Sequence, residues 1–95
     1  MGVNIYLQSR NLGDHPEWDA FRYAGDKEFS GVISRCPHIE ENWSSEPDCE
    51  SYIRPTDFSS LRKAIAEREW PNPGRFEKLA DLLERDSEYW VYFSY

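Results

Sequence analysis

Positive charge is in short supply in this sequence. Lysine and arginine number 11 against 18 aspartates and glutamates, leaving a net charge of −7. A negative field of that size repels phosphate backbones and argues against direct binding of DNA or RNA. Long apolar runs are missing as well: none reaches the roughly 18 residues of a membrane span. The opening MGVNIYLQSR lacks the basic start and apolar run of a secretory signal, and Tyr6 stands where a myristoylation signal carries Ser or Thr. A cytoplasmic protein without membrane contact is the expectation. The five glycines are scattered, so no glycine loop cradles a phosphate. No serine sits in a Gly-x-Ser-x-Gly setting, and the acids between Glu40 and Glu50 do not follow the alternating frame of a calcium loop.

What the sequence does have is aromatic mass. Four Trp, six Tyr and five Phe make up 16% of 95 residues, enough to fill the core of one small domain. A chain this short buries only about 60–65% of its unfolded surface, so large rings matter. The charge is uneven. Residues 1–50 hold four Lys/Arg against ten Asp/Glu, and carry all but one unit of the net charge.

Hydrophobic spacing gives the elements. Val3, Ile5 and Leu7 alternate with Asn4, Tyr6 and Gln8, the pattern of a half-buried strand over Val3 to Gln8. After a turn at Arg10 to Gly13, Asp14 and Glu17 have the spacing of a capping box, predicting a short helix over Pro16 to Tyr23 that Gly25 stops. Glu28 to Arg35 reads as a second strand, with Phe29 and Ile33 inward and Gly31 at a bulge. Tyr52-Ile53-Arg54 reads as a short edge strand. Thr56 or Asp57 caps a helix of about twelve residues with the stripe Phe58, Leu61, Ile65, ended by Trp70-Pro71. Asn72-Pro73 starts another, with Phe76, Leu79, Ala80 and Leu83 inward and Asp81 paired with Arg85. Glu88 to Tyr95 is a last strand with rings on both faces, which places it centrally.

This order predicts an α+β fold: a small, largely antiparallel sheet of three to four strands, two main helices on one face, and a short N-terminal helix. The other face would show Tyr6, Trp90 and Tyr92. Such an aromatic patch calls for a lid, a partner or self-association.

The opening Met1-Gly2-Val3-Asn4-Ile5-Tyr6-Leu7 resembles the start of small uncharacterised bacterial and phage proteins that begin M-G-x-[DN]-[IV]-Y-L. The resemblance covers the first strand and implies no activity and no functional residues.

The longest stretch without a helix or strand pattern is Cys36 to Ile53, eighteen residues with five carboxylates and no Lys or Arg. Long irregular connections are usually functional or disordered. Glu40, Glu41, Glu46, Asp48 and Glu50 surround Trp43, an arrangement suited to a basic protein partner, with the indole as anchor and the charges raising the on-rate. The plain alternative is a solvated loop with Trp43 tucked into the core. Cys36, His38 and Cys49, with His15 as a fourth ligand, are a zinc set of unfamiliar spacing; two free thiols or a short-loop disulfide account for the same cysteines. No other cofactor is expected. A third possibility is a small enzyme using His15 with Asp14, Glu17 or Asp19, although no nucleophile stands beside it. The sequence thus favours binding over catalysis: an intracellular interaction or inhibitory protein that meets a basic partner.

Overall fold

Strand β1, Asn4–Ser9, carries the first inward set: Ile5 and Leu7 are fully buried, as is Val3 just before it. Ser9 is buried too. Its Oγ accepts from the backbone N–H groups of Asn11 and Leu12, and Gly13 takes a positive φ, so the chain reverses into the two-residue strand β2, Gly13–Asp14. The computed structural model describes residues 3–43 and 51–94.

The order then runs through α1 (Asp26–Arg35), β3 (His38–Asn42), β4 (Ser51–Pro55), α2 (Phe58–Ala66), α3 (Pro73–Arg85) and β5 (Tyr89–Ser94). Among the described residues five antiparallel strands form one sheet in the order β2-β1-β5-β4-β3. The fold is α+β, as expected, with β5 at the centre. The sheet has five strands where three to four were expected.

Three elements differ from the sequence reading. The strand over Tyr52-Ile53-Arg54 is not at an edge: β4 lies between β5 and β3, because the preceding segment His38–Asn42 forms a strand of its own and takes the outer place. The segment Pro16 to Tyr23 is not a helix, because its polar groups are held from elsewhere. Arg75 donates to the carbonyls of Asp19 and Phe21, and the Trp18 indole donates to the carbonyl of Ile5. The capping box does not form: Asp14 accepts from the Gln8 amide, and the Glu17 N–H donates to His15. Conversely, Glu28 to Arg35 lies in helix α1, not in a strand. Phe29, Val32 and Ile33 have the i, i+3, i+4 spacing of a helix face, and all are buried. Gly25 starts this helix at φ 91°, rather than stopping an earlier one. A Cβ there would meet the Pro71 ring at 3.2 Å.

All three helices send side chains to one core, against Ile5, Leu7, Ile53 and Val91 from the strands. At its centre Phe29 and Phe76 stack at 4.2 Å, with Trp70 against both. Helix α2 is capped by Asp57, which accepts from Ser60. It ends at Ala66, shorter than expected. Helix α3 starts with Pro73 at its first position, but the Asn72 amide reaches across to the carbonyl of Ala24 instead of capping. The expected Asp81–Arg85 pair is replaced by links between elements: Asp81 binds Arg62 of α2 at 2.8 Å, and Arg85 binds Glu17 at 2.5 Å.

Candidate functional site

The sheet face opposite the helices collects the remaining rings. Register sets Tyr6 beside Tyr92 and Gln8 beside Trp90 across β1 and β5, and Glu41 beside Tyr52 across β3 and β4. Tyr6 and Tyr92 stack at 5.8 Å, Tyr92 and Tyr52 meet at 5.3 Å, and the Tyr52 hydroxyl donates to Gln8. Trp43, just past β3, lies flat on Tyr52 at 3.8 Å and meets the edge of Trp90 at 6.1 Å. All five rings are half-buried. Trp43 is therefore neither in the core nor standing in water. It covers Tyr52 and meets Trp90 at one side of the aromatic face.

Charge meets this face at one point. The Arg10 guanidinium lies 5.5 Å from the centre of the Trp43 ring and donates to Glu41 at 2.6 Å. Glu41 and Arg10 both remain about half exposed, at 44% and 52% of their side chains. Glu40 is 59% exposed and accepts from His38 Nε2 at 3.2 Å. His38, Glu40 and Glu41 belong to β3, which pairs antiparallel with β4, so the stretch read as irregular is regular at both ends. The strand pattern was hidden because four of the five β3 residues face solvent. Glu46, Asp48, Glu50 and Cys49 lie outside the described residues.

The zinc set is not brought together by its described members. Cys36 is buried and carries a free thiol; burial and the Asp57 carboxylate push that thiol up, away from the thiolate a metal needs. His38 Nδ1 is bonded to the Cys36 carbonyl at 2.7 Å. Among the described residues no three His, Cys, Asp or Glu side chains converge as a metal site.

His15 is buried, with both ring nitrogens in use. Nδ1 accepts from the Glu17 N–H, so it carries no proton, and Nε2 donates to Asp86 at 2.7 Å. The ring packs on Tyr89 at 4.4 Å. A shallow depression of about 510 Å³ adjoins it, but neither nitrogen is left to act on a substrate there. Asp14 and Asp19 point elsewhere: Asp19 accepts from the Tyr23 hydroxyl and the Phe21 N–H. A second depression, about 400 Å³, lies where Trp18, Tyr23 and Arg75 meet the start of α3. Its Arg75 is spent on Asp26, which it grips through two 3.0 Å bonds.

Sequence reasoning missed Arg10 and the role of Tyr52. The signal for Tyr52 was the cross-strand register, which places a ring next to Glu41; nothing local marks Arg10. Among the described residues no helix is long and apolar enough to cross a membrane. No family model matches the chain, and no curated protein or solved structure matches it.

Proposed function

We propose that the protein is a cytoplasmic interaction protein that receives a basic protein partner at the rim of its aromatic sheet face. Glu40 and Glu41 supply charge and Trp43 supplies the anchoring ring; Glu46, Asp48 and Glu50, next to them in sequence, add negative charge to the same segment. The observation that carries this reading is Arg10. The chain's own guanidinium rests against the Trp43 ring while bonded to Glu41. That pair of contacts, a ring for the cation and a carboxylate for its donors, is what an incoming arginine would use. The carboxylate excess of residues 1–50 would steer such a partner.

The test is titration of an arginine–threonine alternating octapeptide into the protein by calorimetry, at low and at physiological salt. Binding should weaken as salt rises. Replacing Glu40 and Glu41 together by Lys should abolish it. Trp43→Ala should cost about 2 kcal/mol, roughly thirtyfold in Kd. Binding indifferent to all three changes would refute the placement. Light scattering on the protein alone distinguishes a second copy seated on the aromatic face: a dimer lost in Trp43→Ala would replace the basic partner by self-association.

A further inference from the structure

The two edges of the sheet are finished differently. On the β1 side the chain closes its own edge. The His15 N–H donates to the Leu7 carbonyl at 2.9 Å, the Trp18 indole donates to the Ile5 carbonyl at 2.8 Å, and β2 pairs with Gln8 and Ser9. On the β3 side, no strand among the described residues pairs with the outer edge. Ile39 is 50% exposed, and Glu40, Glu41 and Asn42 are exposed as well.

Register tells which backbone groups face outward. The Thr56 N–H donates to the Pro37 carbonyl at 2.9 Å, so the pair formed by these two residues is hydrogen-bonded. Bonded and non-bonded pairs alternate along antiparallel strands. Following the register from Pro37, Ile39 and Glu41 turn their N–H and C=O groups toward β4, and His38, Glu40 and Asn42 turn theirs away from it. Three residues of donors and acceptors therefore line an edge that no strand among the described residues pairs with. Ile39 and Glu41 share the open face with Tyr52, and Glu40 stands on the opposite side.

We infer that β3 accepts a sixth strand, an extended basic segment of the partner, which pairs with the backbone of His38, Glu40 and Asn42. The inference rests on the basic-partner reading above and specifies its geometry. Charge decides the occupant. A second copy pairing antiparallel about Glu40 would set Glu40 against Glu40, between chains that each carry −7. Glu41, on the open face with Tyr52, suits an antiparallel strand with Lys or Arg along that face, and Glu40 adds negative charge on the other side. Charged edge strands deter self-pairing in general; here the deterrent has a sign, and it admits the opposite one. Ile39 offers the added strand an apolar neighbour, and main-chain bonds supply affinity that does not depend on partner sequence.

Amide methylation tests this on the unaltered protein. Three arginine–threonine octapeptides are titrated: the parent, one N-methylated on odd residues, and one N-methylated on even residues. All keep the same charge, but a methylated strand cannot pair along the edge that carries the methyls. One methylated peptide should bind within about twofold of the parent, and the other should lose about tenfold or more. Hydrogen exchange should slow at the amides of His38, Glu40 and Asn42 on adding the parent, and stay unchanged at Ile39 and Glu41. Equal binding of all three peptides with no slowing at those three amides overturns strand addition while leaving the basic-partner reading intact. Absence of parent binding at low salt overturns both.

Discussion

Arg10 Nη2 stands 2.6 Å from Glu41 Oε1, joining two residues 31 apart in sequence at the end of β1 and in the edge strand β3. Both side chains are about half exposed, so the bridge itself contributes little to folding, on the order of 0–1 kcal/mol. On the proposed reading its consequence lies in binding, because a partner's arginine would take the same place. Arg10→Ala should leave the urea midpoint nearly unchanged. It should tighten the arginine peptide several-fold, since a competing intramolecular cation is gone. Weaker binding by this variant would show instead that Arg10 itself touches the partner.

Arg75 and Asp26 make the opposite kind of pair. Asp26 is 1% exposed and Arg75 10%, with two 3.0 Å bonds between them. The guanidinium also lies 4.2 Å from the centre of the Trp18 ring and 4.5 Å from that of Tyr23. Removing one partner leaves a buried charge uncompensated. Asp26→Ala and Arg75→Ala should each destabilise by about 3–5 kcal/mol in chemical denaturation. The double variant should lose much less than the sum of the two. Additive losses would mean that the pair is not coupled.

These two pairs also show why the sequence was legible only in part. Helices α2 and α3 and strands β1 and β5 were readable because each buries a face whose spacing is set locally. Helix α1 was misread because Phe29 and Ile33 fit both periods. Only Val32 distinguishes them, and Gly31 suggested a bulge although it lies in a helix. The segment from Pro16 to Tyr23 was misread because Arg75, more than fifty residues away, takes the carbonyls a helix would have used. In the site, Glu40, Glu41 and Trp43 were legible as types in a pattern. The placement of Trp43 on Tyr52, and of Arg10 on both Trp43 and Glu41, depends on which strands are neighbours, and no local rule supplies that.

His38 gives the β3–β4 pair a pH dependence. Its bond to the Cys36 carbonyl, then its bond to Glu40, raise it above the ordinary histidine value of 6.5. The folded state therefore holds the proton more tightly than the unfolded state. That contribution is present in full below pH 6.5 and is lost as pH rises through the raised folded value. Carboxylates act in the reverse direction. Asp86, held down by Arg85 and His15, and Glu17, held down by Arg85, contribute above their ordinary range and lose that contribution in acid. The stability difference between the wild type and His38→Gln should shrink between about pH 6 and 8. A difference that stays constant across that interval would assign His38 a packing role only.

The β3–β4 pair that carries the candidate site meets the rest of the sheet more through side chains than through backbone pairing. Among the described residues the register between β4 and β5 is the pair Ile53↔Val91, and Tyr52 meets Tyr92 and Gln8 beside it. Arg54 supplements it, donating to the carbonyl of Tyr89 at 2.7 Å and to that of Leu83 near the end of α3, with its guanidinium 5.7 Å from the Phe58 ring. One planar fork thus serves two carbonyls from different elements, which a lysine ammonium on its narrower head does not reproduce. Arg54→Met keeps the apolar stem and removes the fork, leaving both carbonyls without that donor at a cost of about 1–3 kcal/mol. The loss should be local. Amides of β3 and β4 should exchange faster in Arg54→Met while those of α3 and β1 keep their protection, and the arginine peptide should bind more weakly although every acidic and aromatic contact residue is intact. Uniform acceleration of exchange across the whole sheet would instead make Arg54 a global stabiliser, and the β3–β4 pair no more independent than the strands beside it.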